Sequence, residues 1–168
     1  MKIFGSGVWT LVFVAGLGGT TRYWETRVTE LAQEHRIVLV DLFGFGRSPK
    51  PWVKYSVERH VDALQRVLAP LGPVTLVGHS LGALIAAAYA ARHTETVERL
   101  VLISLPHFGS QDAAYTYMRQ GPVKGGLIYT NVLLTMLACI ITRRLLGRIL
   151  PYLIRDIPRE IVEDLVQH

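Results

Sequence analysis

The five residues Gly78-His79-Ser80-Leu81-Gly82 constrain this chain more than any other stretch. Ahead of them lies the β-branched, apolar run Val74 to Val77, and behind them the alanine-rich stretch Ala83 to Ala91. The predicted unit is a strand, a sharp turn and a helix, with a serine at the apex. Glycines on both sides permit a strained turn that lifts the hydroxyl clear of the sheet, where a base can reach it. The following helix N-terminus favours developing negative charge beside it. A G-x-S-x-G pattern alone is weak. With strand and small-residue helix in place, it makes Ser80 the candidate nucleophile rather than a serine that only caps a helix.

Other short apolar runs recur at Trp9 to Ala15, Ile37 to Val40 and Leu100 to Leu105, and helical patterns lie between them. Those helices are predicted over Arg22 to Glu34, Ser56 to Ala69, and from Ser80 to about His93. The alternation predicts an α/β fold with a mostly parallel sheet flanked by helices. The strands read as nearly continuous apolar runs without in/out alternation, as expected when helices cover both faces. Ser56 followed by Glu58 and Arg59 makes a helix start, and Pro70, Gly72 and Pro73 make a stop. Val8 to Ala15 is β-rich, lacks a small-residue cleavage site and passes into a glycine turn, so Met1 to Thr20 reads as strand and turn, not as a signal peptide. After Leu105 the chain is broken by Pro106, Gly109, Gly121, Pro122, Gly125 and Gly126, and apolar helical stretches follow at 127–150 and 157–166. The expected organisation is therefore a core over 1–107 and a second segment over 108–168.

Two segments belong with the serine turn. One is Val12-Phe13-Val14-Ala15-Gly16-Leu17-Gly18-Gly19 with Trp24 beyond it; the other is Asp41-Leu42-Phe43-Gly44-Phe45-Gly46-Arg47-Ser48-Pro49. With these three motifs the sequence resembles the α/β-hydrolase superfamily, in particular its serine-nucleophile, lid-containing, esterase- and lipase-like members. The resemblance implies a partial α/β-hydrolase core, corresponding to the third to sixth of eight strands in the spatial order fourth, third, fifth, sixth, and 108–168 as the beginning of a helical lid. It implies an oxyanion hole made by the backbone N–H groups of Leu17 and Leu81, with Gly78 and Gly82 as the elbow glycines. It implies no metal and no cofactor. Asp41 then shapes neighbouring loops instead of serving as a catalytic acid, and Arg47 and Ser48 anchor the turn. This sequence departs from the family at Ala15, where histidine is common, so Gly16 and Leu17 are expected to be anchored differently.

A serine of this type needs a histidine to accept its proton and a carboxylate to orient that histidine, in the chain order serine, acid, histidine. Neither the acid nor the base is assigned here. His79 should leave the turn in another direction and pack within the elbow. His35, His60 and His93 fall at or within helices and read as surface residues, and His168 is the last residue. Asp112, just after the run ending at Leu105, is a candidate acid, but His107 precedes it and comes in the wrong order. The acid and histidine are thus expected beyond residue 168, in a chain that is incomplete.

The net charge of +5 is uneven: Arg119, Lys124, Arg143, Arg144, Arg148 and Arg155 occupy a stretch, Ala113 to Arg155, without an acidic residue. No aromatic residues alternate with them as a base-stacking platform would require, so nucleic acid is excluded as a partner. Leu127 to Ile141 is apolar but only 15 residues long, short against the roughly 20 that span a bilayer. It is expected to be a lid lining an apolar cavity, with membrane contact through 127–150, spanning or interfacial, as the rival reading. Cys139, the single cysteine, is an ordinary buried thiol on this reading; it excludes an internal disulfide and fits a reducing compartment, the cytoplasm. The expected partner is a small-molecule substrate with an apolar portion.

The functional expectation is a serine hydrolase acting on an ester, thioester or related carbonyl; the alternative is a catalytically silent fragment serving as a binding or membrane-associated module. A four-stranded block with bare edges exposes unpaired backbone and apolar surface. The chain alone should therefore be marginally soluble, and its purification as a monodisperse, cooperatively melting monomer would count against that.

Overall fold

The structure, a computed structural model, describes residues 1–120. Its first compact unit is Met1–Pro106, and a second begins at His107. In the first unit a five-stranded, mostly parallel sheet is flanked by helices. The strands are β1 (Lys2–Phe4), β2 (Thr10–Val14), β3 (Arg36–Val40), β4 (Val74–His79) and β5 (Val97–Ile103), in the spatial order β1-β3-β2-β4-β5. Strands β3, β2, β4 and β5 are mutually parallel and follow the order expected from the resemblance. Strand β1 has no counterpart among the expected strands. It pairs antiparallel with β3 from Lys2 opposite Leu39 to Phe4 opposite Ile37, and Lys2 Nζ donates to Glu25 Oε1 at 2.6 Å. Three residues carry too little pattern to be read as a strand, and here the partner strand decides.

The apolar runs are continuous because both sheet faces are covered. Val12, Val14, Val38, Val40 and Leu76 pack on one face with Val61, Leu64, Leu68, Ile85, Ala86 and Tyr89. Phe13, Ile37, Leu39 and Val77 pack on the other with Trp24 and Val28. The first group of helical residues comes from α2 (Val57–Leu68) and α3 (Leu81–Arg92). Helix α2 buries His60, Val61, Leu64 and Leu68, spaced along one face, and starts where the Ser56 side chain accepts from Arg59 N at 3.4 Å. Each fully buried Val or Leu on that face contributes about 1.5–3 kcal/mol relative to exposure. Pro70 lies in a short 3₁₀ turn, Ala69–Leu71, which ends at Gly72 with φ 75°.

Three further boundaries differ from expectation. The helix expected over Arg22 to Glu34 is instead α1 (Thr21–Glu25) followed by a 3₁₀ turn, Glu30–Gln33. Thr26, Val28 and Thr29 are weak helix formers, and the Thr29 hydroxyl donates to the Glu25 carbonyl at 3.0 Å. Strand β5 starts at Val97, three residues before the apolar run, because Glu98 and Arg99 disguise it; a register irregularity against β4 falls there. A helix, α4 (Gln111–Gln120), forms within the segment read as broken, with Ala113 N donating to Ser110 Oγ at 3.1 Å. At the β5 edge the apolar residues Leu100, Val101, Leu102 and Ile103 are between 36% and 43% exposed.

His60 is also a correction, since it is buried and not a surface residue. Its ring lies among Phe43, Phe45 and Tyr55, with centroids 6.1, 6.5 and 6.1 Å away, and its Nδ1 has no partner. Burial holds its pKa below the ordinary histidine value. Below about pH 6.5 the unfolded chain takes up a proton that the folded chain resists, so stability present above that pH is lost as pH falls. The urea midpoint should drop between pH 7 and pH 5 in the wild type and drop less in His60→Leu. An equal drop in both would remove His60 as the cause.

Candidate active site

The turn at Ser80 is built from backbone packed against backbone. Strand β4 runs through His79, and α3 begins at Leu81. Between them Ser80 has φ 53° and ψ −119°; among the described residues, Ser80 and Ser104 are the non-glycine residues with positive φ. Such a conformation costs on the order of 1–3 kcal/mol and persists only where its surroundings over-determine it. Here Ser80 N donates to Ile103 O at 2.9 Å, and Ser80 O accepts from Ala83 N and Leu84 N at 2.9 and 3.1 Å. Although Ser80 occupies the N-cap position, its side chain makes no capping hydrogen bond, so the hydroxyl is not spent on the helix.

The flanking glycines are demanded by contact. A Cβ on Gly78 would lie 2.4 Å from Gly82 O, and one on Gly82 would lie 2.5 Å from both Val14 O and Ala15 O. These atoms are main chain and cannot swing aside. The start of α3 is thereby pressed onto the end of β2, and the β2 loop is brought to the serine. A Cβ on Gly16 would sit 3.0 Å from Ser80 Cβ and 3.2 Å from His79 Nδ1. Gly19 N donates to Gly16 O at 3.1 Å, closing the loop. Leu17, at its tip, is 64% exposed, and Leu81 is the first residue of α3.

His79 packs within the elbow: its ring stacks on Tyr23 at 5.2 Å and 21°, and the Arg27 guanidinium lies 4.6 Å from the Tyr23 centroid. With alanine at 15, the loop rests on this stack and on Ala15 itself, which is buried and whose Cβ lies 3.0 Å from the Cβ position of Gly19. Sequence reading missed Tyr23; its place in the first helix turn after Thr20 was the only signal.

Asp41 is buried at the end of β3 and fully engaged. Its Oδ1 accepts from Thr21 N at 2.7 Å and its Oδ2 from Arg47 N at 3.1 Å, while Ser48 Oγ donates to Asp41 O at 2.7 Å. A Cβ on Gly46 would strike the carboxylate at 2.4–2.6 Å. Asp41 thus joins the start of α1 to the turn carrying Arg47 and Ser48.

His93 caps the end of α3, its ring stacked on Tyr89 at 4.7 Å. His35 is half-buried, with Nδ1 lacking a partner. In the second unit His107 is exposed, and Asp112 is exposed in the first turn of α4. The segment 127–150, Cys139 and His168 lie outside the described residues. Among the described residues there is no cluster of three metal-ligating side chains and no helix long and apolar enough to cross a membrane.

A family model described as the alpha/beta hydrolase fold matches residues 10–122, which takes in both loops and the elbow. The chain belongs to the α/β-hydrolase fold family. Within it, the chain is similar to probable lysophospholipase BODYGUARD 4 of Arabidopsis thaliana, 39% identical over 106 residues that make up 60% of this chain and 25% of that protein. Among solved structures it resembles a probable hydrolytic enzyme from Pseudomonas aeruginosa PAO1, with 26% identity and a TM-score of 0.58 over 76% of this chain and 46% of that one. It also resembles a carboxylesterase from the thaumarchaeon Nitrososphaera gargenis, with 25% identity and a TM-score of 0.62 over 74% of this chain and 49% of that one. The chain spans about a quarter of the plant relative's length and about half of either α/β-hydrolase structure.

Substituting Gly82→Ala forces main-chain separation between β2 and α3 and should cost more than about 2 kcal/mol. Urea denaturation would show it, and an unchanged midpoint would refute the contact.

Proposed function

We propose that this chain carries the nucleophile of a serine hydrolase acting on an ester, thioester or related carbonyl compound with an apolar portion. The observation that carries the reading is the strained, uncapped Ser80 with the Gly16 loop against it. In this chemistry Ser80 Oγ attacks the carbonyl carbon as a histidine accepts the hydroxyl proton. The oxyanion of the tetrahedral intermediate is held by the N–H groups of Leu17 and Leu81, each worth about 3–4 kcal/mol to the transition state. Collapse expels the leaving group, protonated by the same histidine, and water then releases the acyl group from Ser80 by the reverse proton path. No metal or cofactor enters these steps.

Similarity to a protein named a lysophospholipase and to a carboxylesterase supports an ester with a hydrocarbon part. The apolar run 127–141, as part of a lid, would line the cavity for it, although it lies outside the described residues. The acid and the base are both unassigned, Asp112 being a weak candidate for the acid. The single thiol, Cys139, favours a reducing, cytoplasmic setting. The second reading is a catalytically silent binding or membrane-associated module, favoured by Ala15 in place of the family's usual histidine and by the unassigned base.

A fluorophosphonate probe separates the two. A folded protein that supplies the acid and histidine together with this chain should be labelled, with labelling abolished in Ser80→Ala; undiminished labelling of that variant would overturn the assignment of Ser80, and a folded, completed protein that resists the probe would favour the silent module, while residues 1–168 alone are expected to be inactive. Long-chain acyl esters should be preferred to short ones, and preference for the shortest would remove the apolar-substrate reading.

A further inference from the structure

The loop joining β3 to α2 carries an aromatic residue that the fold does not use. Trp52 is 83% exposed, while Lys50 and Lys54 on either side are exposed and Tyr55 is 43% exposed. Between Asp41 and Glu58 there is no acidic residue, whereas Arg47, Lys50 and Lys54 are all basic. A lone exposed leucine needs no explanation, but an indole held out among cations has a specific physical preference. Its amphipathic ring favours the headgroup zone of a bilayer, and neighbouring ammonium groups are drawn to anionic lipids.

The loop presents Trp52 on a fixed base. Gly44 N donates to Pro49 O at 3.0 Å, Val53 N to Pro51 O at 3.0 Å, and Tyr55 Oη to Pro51 O at 2.9 Å. Lys50 Nζ donates to Gly46 O, and the Tyr55 ring occupies the space where Gly44 lacks a side chain, 5.3 Å from Phe43. Ordering a loop at a surface costs entropy, and these bonds meet part of that cost beforehand. Because β2, β3 and β4 are parallel, the loops after their C-terminal ends open on one sheet edge. The Gly16 loop follows β2, Ser80 follows β4, and the loop that carries Trp52 follows β3.

We propose that residues 47–55 form an interfacial docking site for an anionic phospholipid surface, with Trp52 inserted among headgroups and Lys54 and Arg47 facing them. Docking would set the Ser80 edge toward the bilayer, where amphiphilic esters reside. Glu58 and Arg59, both exposed in the first turn of α2, offset one another and leave the loop net positive. Lipid binding requires no reaction at Ser80, so it stands or falls apart from the hydrolase reading.

The test is co-sedimentation with phosphatidylcholine vesicles with and without phosphatidylserine, at low and high salt, while following tryptophan emission. The wild type should bind the phosphatidylserine vesicles at low salt with a blue shift and be released at high salt. Trp52→Ala should lower the bound fraction at least about fivefold and abolish the shift, and Lys54→Glu should weaken binding comparably. Ser80→Ala should bind as the wild type does. Melting curves of Trp52→Ala, whose replaced side chain is exposed, check that it remains folded. Absence of wild-type binding, equal binding to neutral vesicles, or undiminished binding by folded Trp52→Ala would each overturn the proposal, the last by placing any membrane contact elsewhere, as in 127–150.

Discussion

The close approach of main chain to main chain where β2 ends and α3 begins is the constraint on which the rest of the sheet edge depends. With Val14 O and Ala15 O both 2.5 Å from the Cβ position of Gly82, no side chain can be tolerated there. The helix start can then lie on the strand end, and Ser80 must turn through a positive φ to connect them. The strain is offset by burial farther along the helix, where α3 packs Ala83, Ile85, Ala86 and Tyr89 against the sheet and α2. Small residues at the first turn let the helix descend far enough for that burial, and long ones farther along supply it. Strain at Ser80 and packing of α3 are thus two results of one geometry.

A second constraint governs the neighbouring loops. Removing a carboxylate from water is costly unless hydrogen-bond donors replace it, and two main-chain N–H groups do so at Asp41. These come from different parts of the chain, one at the start of α1 and one in the Gly46–Ser48 turn, so satisfying a single buried charge fixes two loops relative to β3. The first positions Tyr23 and hence the ring stack beneath Gly16; the second is the root from which the Trp52 loop extends. In this way a single buried side chain determines how the loops around the proposed nucleophile are arranged.

Much of this was legible in the residues. Gly78, Ser80 and Gly82, with a strand before and a helix after, specify a turn whose chemistry needs little context, because steric exclusion at a glycine is local. The strands β2, β3 and β4 were equally plain, since strands buried on both faces must be apolar throughout. Less plain were β1, with three residues and no periodicity, and β5, whose first residues include charged Glu98 and Arg99. His60 was misread because a histidine on an amphipathic helix is usually a surface residue; only the aromatic rings of the β3–α2 loop, brought over it by tertiary packing, exclude water from it.

By itself, then, the sequence determined the family, the parallel αβ alternation and the serine turn, because each rests on patterns carried by neighbouring residues: apolar runs, glycine spacing and helix starts. Tertiary structure alone decided that His79 stacks on Tyr23, that Asp41 joins two loops, that β1 adds an antiparallel edge, and that Trp52 stands exposed on the loop after β3. The physical reason is separation along the chain. Asp41 reaches back to Thr21, and β2 is paired with β4 some sixty residues later, contacts that no local spacing encodes and that exist only once both sheet faces have been packed.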